Sequence, residues 1–491
     1  MTSFFKNSLF LMTLTGILFL VSCTKDDPAL PDNLVAFDSD QLGTSASETQ
    51  LTINITSLRA VSTGSTVTIA LDPTGLTYGT QFSTEPAAAS NSIVLNVPAN
   101  TTSASFVVKK TAGALFDGTE KVKFTIQTVG AGLVPGAKSV LTLSFSEIVA
   151  TGGSLEINGG GQYHPNKVFI DLSGNRQTAV KRTDWDLAFS STDDFRVLLN
   201  SSNGMFAYKL AGKTDLASVT MADADAADLA SKISIGAIFT AINSNPTTSW
   251  FADALNWIDN PQGDLTKTAI AAISATASEN VVYIVNRGDG IATSAGAAMP
   301  TLGWKKVRII RNGSNYTIQH ADISSTTFAS TTVTKDAAYR FNYFSFTNGA
   351  VAVEPRLKKW DIAWTGFTNQ TATNPADPTN SFNVPYYFQD VIVQSSDVQT
   401  LQILNSAGVS YDNFVEANLA GRIFSSSQIN IGSSWRSGGG PPGTPPPAVR
   451  TDRYYIIKDG DGNFYKLRFT ALTTNGERGK PVFEYKLVKK A

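Results

Sequence analysis

The chain has 491 residues, 42% hydrophobic and only 16% charged, with a formal net charge of −1. Near-neutrality excludes the basic footprint of a nucleic-acid binder or of a protein held electrostatically on an anionic membrane. The length exceeds a single core and implies about three domains, and the lone cysteine, Cys23, excludes an internal disulfide framework. Abundant Thr, Ser, Gly and Asn fit an all-β secreted protein with many turns.

Residues 1–22 stand outside the fold: Lys6 gives a positive start, and Leu9 to Val21 form an apolar stretch too short to span a bilayer, which reads as a secretory signal. Val21-Ser22-Cys23 resembles a bacterial lipobox, in which Cys23 is lipidated and becomes the mature N-terminus. Thr24-Lys25-Asp26-Asp27 looks like the export tag of surface lipoproteins in Bacteroidetes-type bacteria. The expectation is a lipid anchor in the outer membrane with the protein exposed at the cell surface. Residues 23–33, with Pro28 and Pro31, are a tether.

Residues 34–148 read as successive short strands. Ile93, Leu95 and Val97 alternate with Val94 and Asn96, and Val122, Phe124 and Ile126 alternate with Lys121, Lys123 and Thr125. Period-two alternation buries one strand face, and turns at 98–101 and 117–119 complete the pattern of an immunoglobulin-like sandwich. Tyr78-Gly79-Thr80-Gln81-Phe82, the run from Val97 to Phe106 and Leu115-Phe116-Asp117-Gly118-Thr119-Glu120 resemble Calx-β domains. Such domains can bind calcium through acidic loops. Here Lys109-Lys110 stands where carboxylates are wanted, and Asp117 with Glu120 falls short of the six to eight oxygens calcium takes. A spacer or interaction module is expected instead.

The rest of the chain repeats itself. Thr183-Asp184-Trp185-Asp186-Leu187-Ala188-Phe189 returns 175 positions later as Lys358-Lys359-Trp360-Asp361-Ile362-Ala363-Trp364. Val281-Val282-Tyr283-Ile284-Val285 with Gly288-Asp289-Gly290 returns 172 positions later as Arg453-Tyr454-Tyr455-Ile456-Ile457 with Gly460-Asp461-Gly462. A near-constant offset across two motifs marks duplication of a whole domain, too long a period for a solenoid. Copy one is expected over 151–332 and copy two over 333–491, with linkers near 149–160 and 326–338. Each copy opens with a strand (Lys167 to Leu172; Phe341 to Phe346), passes the Trp-Asp strand and a variable middle, and closes on strands around Gly-Asp-Gly. The middle of copy one, Ala222 to Ile258, has helical character, and Gly438 to Pro447 must be a loop. Two copies of a module suit a protein that binds or presents something, since a second copy adds avidity or capacity.

This order of motifs, with Gly212-Lys213-Thr214-Asp215-Leu216 and Asn342-Tyr343-Phe344-Ser345-Phe346, is similar to the HmuY-like family of haem-carrier lipoproteins. The resemblance implies an all-β sandwich with a haem cleft at one end and axial ligands drawn from the variable middle. The expected function is a surface lipoprotein that binds haem or a related porphyrin for uptake, taking it from host haemoproteins and passing it to an outer-membrane receptor. Haem iron is held by side chains such as His, Met or Tyr. The two histidines, His164 and His320, both lie outside the middle segments, and copy two contains neither His nor Met. Met205 and Met221 are therefore the candidate haem ligands, with Tyr411 as a substitute in copy two; core filling is the ordinary role of methionine. The competing reading is a non-enzymatic surface interaction protein that contacts a protein or glycan after losing its iron ligands.

No catalytic or metal-binding residue emerges, and an enzyme is not expected. Asp186 and Asp361 give one acid per copy, which suits backbone donors better than the paired carboxylates of glycoside hydrolysis. Trp185 and Trp360 read as core anchors. Asp459-Gly460-Asp461-Gly462-Asn463 departs from a calcium-binding EF-hand at Phe464 and Thr470 and reads as a tight turn.

Overall fold

The computed structural model describes residues 30–491 apart from 46–47, 117, 147, 295–297 and 439–445. The expected signal at residues 1–22, Cys23 and Lys25-Asp26-Asp27 lie outside the described residues, as do Asp117 and most of the Gly/Pro stretch in copy two. The described chain is all-β apart from short helical turns, most of them in the middle of copy one.

The N-terminal unit is a sandwich of two five-stranded sheets. One sheet carries Phe82–Glu85, Ser103–Lys110, Gln50–Ser57, Leu34–Phe37 and Val134–Pro135; the other carries Gln41–Gly43, Val140–Ser144, Lys121–Val129, Ser65–Thr74 and Ser92–Val97. The alternation read from the sequence sets the faces: Ile93, Leu95, Val97, Val122, Phe124 and Ile126 are buried, while Val94, Lys121 and Lys123 face out. Ile55, Val67, Ile69 and Phe106 meet them between the sheets. Lys109 pairs with Glu85, and the Lys110 ammonium donates to the Ser45 carbonyl at 2.8 Å, so both cations hold the edge of the sandwich.

The two copies do not close on themselves; they exchange opening strands. Asn166–Asp171, which opens copy one, pairs antiparallel with Ile362–Ala372 of copy two, Ile170 opposite Ile362. Phe341–Ser345, which opens copy two, pairs with Leu187–Ser190 of copy one, Phe344 opposite Leu187. Each Trp-Asp pair lies just before its strand rather than in it and clasps the visiting strand. The Asp361 carboxylate accepts the Leu172 N–H at 2.8 Å and that of Asp186 accepts the Phe346 N–H at 2.7 Å. Trp360 meets Phe169 edge-on at 5.1 Å and Trp185 meets Tyr343 at 4.9 Å, a geometry that adds to simple burial.

Each segment expected at a domain boundary as a linker contains a paired strand. Gly152–Glu156 adds to the edge of the last strand, Val482–Lys489, and Ala329–Val333 pairs with Asn315–Asp322. Their small and hydroxylated residues look like loop in isolation, yet at a sheet edge the ladder partner decides, and propensity yields to tertiary context. The N-terminal sandwich is fastened at the same place: Arg176 bridges Glu48 at 2.7 Å and Asp171 at 3.2 Å, and the Ser39 hydroxyl donates to the Asn175 carbonyl at 2.6 Å.

The closing hairpins each lean on one buried lysine. Ile284 lies opposite Lys306 and Ile456 opposite Lys466, which makes the lysines equivalent. The Lys306 ammonium donates to the Val219 carbonyl at 2.6 Å, and that of Lys466 to the carbonyls of Tyr411 at 2.7 Å and Phe414 at 3.0 Å. Each lysine thus ties the variable middle of its copy to the sheet. Burial lowers the pKa of both.

Candidate functional site

Strand exchange brings both Trp-Asp turns and both opening strands to one seam, and a cavity of about 300 Å3 lies there. Both copies build it. Trp185 and Trp360 line it from equivalent positions, Phe341 and Phe367 add aromatic surface, and Ile258–Leu265 of the first middle segment and Ser426 and Gln428 of the second reach its wall. Its lining mixes aromatic and aliphatic side chains with polar and charged ones, and such concave hollows are where small molecules usually bind.

Duplication makes the walls alike; divergence places the charges. Because Ile170 and Phe344 occupy equivalent register positions, Lys167 in copy one matches Phe341 in copy two, and Asn166 matches Arg340. Lys167, Arg340, Tyr343 and Glu354 all line the cavity. The Lys167 ammonium stands 5.0 Å from the Phe169 ring and 5.6 Å from Trp185. Burial pulls its pKa down to about 8, although the Glu354 charge opposes this. Glu354 accepts the Phe341 N–H at 2.7 Å and the Tyr343 hydroxyl at 3.2 Å. Burial nevertheless pushes its carboxyl up to about 7 and lifts the Tyr343 phenol well above its ordinary value. Asp259 accepts N–H groups from Leu199 at 2.6 Å and Ala269 at 3.0 Å, and burial raises its carboxyl to about 7.

Met205 is buried in the core of copy one and forms part of the cavity wall. Met221 starts the short helix Met221–Ala226, is 43% exposed, and does not line this cavity. The two methionines are therefore not brought together across it. Tyr411 is buried against Tyr454, with the Arg468 guanidinium 4.3 Å from its ring, away from the seam. His164 stacks on Trp364 and lies 3.3 Å from the Asp390 carboxylate, which also meets Arg436 at 3.4 Å and Arg478. Burial would raise the Asp390 carboxyl, but His164 and Arg478 hold it below its ordinary value. His320 packs between Phe344 and Phe346, and its pKa falls through burial and the nearby Lys305.

Asp459 closes the turn of copy two: one carboxylate oxygen accepts N–H groups from Asp461 at 3.0 Å and Asn463 at 2.7 Å, and the other accepts the Asn463 side-chain amide at 2.7 Å. In copy one, a side chain on Gly288, at φ +75°, would collide with the Asn203 carbonyl. Among the described residues no group of three or more His, Cys, Asp or Glu side chains is arranged to hold a metal ion. Sequence reading missed Lys167, Arg340, Glu354 and Tyr343. The only signal was that Lys167 interrupts the apolar character its equivalent, Phe341, keeps.

The architecture is an all-β sandwich followed by two interleaved repeats, with an aromatic-lined cavity at the seam between them. The family model of the HmuY protein matches residues 163–295 and 337–485, more than half of the sequence, and the chain belongs to that family. At family level this is a surface-associated protein of the haem-binding type. No curated relative matches the sequence.

Among solved structures, the apo-form Calx CBD1 domain is 12% identical and covers 24% of this chain and 97% of its own length, at TM-score 0.21. A two-domain protein of unknown function from Bacteroides fragilis is 10% identical over 36% of this chain and 70% of its own, at 0.19. A putative carbohydrate binding protein from Bacteroides ovatus is 9% identical over 93% and 98%, at 0.17. Among the described residues no helix is long and apolar enough to cross a membrane.

Proposed function

We propose that this chain is a non-enzymatic, lipid-anchored protein of the outer cell surface that binds haem or a related porphyrin for uptake, with the seam cavity as its ligand seat. The observation that carries the reading is the aromatic-lined cavity shared by two family repeats, with Met205 in its wall. Trp185 and Trp360 offer flat apolar surface to a macrocycle, and a thioether is a soft ligand that favours reduced iron. Host haemoproteins are the proposed source, an outer-membrane receptor the proposed recipient, and Cys23 the anchor.

The test is a titration of the full chain with oxidised and reduced haem, read at the Soret band. Reduced haem should bind more tightly, and Met205→Ala should abolish the shifted band while Met221→Ala should leave it. An unchanged haem spectrum in both redox states would remove the haem reading. Two observations favour the second reading, a surface interaction protein without iron ligation: Met221 stands apart from the cavity, and about 300 Å3 is at the small end of ligand sites.

A further inference from the structure

The hydrogen-bond inventory of the seam is unbalanced. Every acid in its wall already has donors: Glu354 has the Phe341 N–H and the Tyr343 hydroxyl, Asp259 has two backbone N–H groups, and Asp264 has Lys267 at 3.2 Å. The unmatched groups are all donors. Among the described residues no acceptor meets the half-buried Lys167 ammonium, and two buried donors, the Nε of Arg340 and the indole Nε1 of Trp185, have no partner. Lysine, arginine and the indole N–H can donate but never accept. Buried polar groups left unpaired are costly and rare enough to need a reason.

Acceptor oxygens are the groups such donors pair with. Lys167 and Arg340 come from equivalent regions of the two opening strands, yet their counterparts, Phe341 and Asn166, are uncharged. Both cations therefore arise from departures from the repeat, and strand exchange brings both to one cavity. Aromatic faces from Trp185, Trp360, Phe341 and Phe367 complete the lining.

We infer that the seam cavity recognises a ligand carrying a carboxylate on a flat apolar body, the carboxylate held by Lys167 and Arg340 with the Trp185 indole N–H, and the body lying among the aromatic side chains. The inference rests on the reading of the seam as the ligand seat. Two sources supply this chemistry, a porphyrin bearing carboxylate arms and a small aromatic acid. A carboxylate satisfies donors that a carboxamide of the same shape cannot, because the amide presents fewer acceptors and brings its own N–H groups.

The experiment is calorimetric titration of the full chain in detergent with four probes: 2-naphthoate, 2-naphthamide, protoporphyrin IX and its dimethyl ester. At least one acid should bind about tenfold or more tightly than its neutral counterpart, as expected for charge-assisted hydrogen bonds in a buried site. Lys167→Met and Arg340→Met should each erase that preference while near-ultraviolet circular dichroism stays native. The acid-against-amide comparison on the unaltered chain keeps the test decisive if a variant misfolds. Equal binding of acid and neutral partner, or no binding by either acid, overturns the inference. Preference for naphthoate with both porphyrins inert sustains it and removes the porphyrin reading. Equal binding of both porphyrins with naphthoate inert does the reverse.

Discussion

Asp186 and Asp361 occupy equivalent positions, clasp equivalent backbone N–H groups, and should differ sharply when each is replaced by asparagine. Asp186 is fully buried and makes a forked ion pair with Arg287, Nε to Oδ1 at 2.8 Å and Nη2 to Oδ2 at 3.2 Å, beside the Phe346 N–H. Arg287 is itself only 13% exposed. Asn at 186 removes the counter-charge of that guanidinium and leaves it the Leu302 carbonyl at 3.2 Å, and breaking a buried pair from one side costs about 3–5 kcal/mol. In copy two the residue equivalent to Arg287 is Asp459, so Asp361 meets no cation among the described residues and instead feels the Asp171 charge. Burial, then the Asp171 charge, raises its pKa well above 3.8.

Asn at 361 keeps an oxygen for the Leu172 N–H and removes the acid, so the cost should be about 0–1 kcal/mol. The sign with pH follows. A folded pKa above the unfolded value gives stability that is complete below 3.8 and lost as pH rises through the folded value. Asp361→Asn should therefore gain on the unaltered chain as pH rises. Thermal melts followed by tryptophan fluorescence at neutral pH should show Asp186→Asn lowered by roughly 6 °C or more and Asp361→Asn within about 2 °C of the parent. Equal losses in the two variants would refute the argument from unequal charge partners.

Three further outcomes are expected. Glu354→Gln should flatten the fall in stability with pH: the folded carboxyl titrates at about 7 against 4.5, so its contribution is full below 4.5 and gone above about 7. Melts at pH 4.5 and 8 check this, and a parent-to-variant difference independent of pH would count against it. Lys466→Met removes donors from the Tyr411, Asp412 and Phe414 carbonyls and should cost about 2–3 kcal/mol, visible as faster amide exchange over residues 411–414. Copies one and two expressed singly should be insoluble or unfolded, because each lacks the strand that pairs with Leu187–Ser190 or Ile362–Ala372; co-expression should restore a soluble pair, and two well-folded single copies would contradict the exchange.

The all-β class, the N-terminal sandwich and the duplication were legible because they rest on local signals: alternation at Ile93, Leu95 and Val97, and motifs returning at a fixed spacing. The exchange of strands was not. Asp186 can take its N–H from Leu172 or from Phe346, and the Trp-Asp turn fits either opening strand, so pairing within a copy and pairing across copies satisfy the same pattern. The cavity was hidden for the same reason. Lys167 and Arg340 lie far apart along the chain and read as ordinary cations beside strands until the exchange brings them to one cavity. The methionine reading relied on chain order, which put Met205 and Met221 near each other in sequence but did not show that one is buried in the core and the other exposed at the start of a short helix.

The arrangement also changes what duplication contributes. A tandem repeat whose copies each bind would take two ligands per chain and gain by avidity. Here the described cavity draws walls from both copies, with Lys167 and Trp185 from one and Arg340, Glu354 and Trp360 from the other. On the proposed reading, the absence of His and Met from copy two is then no loss, since that copy supplies a wall and a charge rather than a site of its own. The expected stoichiometry is one ligand per chain. Calorimetry with whichever probe binds should give a single class of site near unity, and Arg340→Met in copy two should weaken it as much as Lys167→Met in copy one. Two independent sites per chain, each sensitive only to substitutions in its own copy, would return the protein to a plain tandem of binding modules.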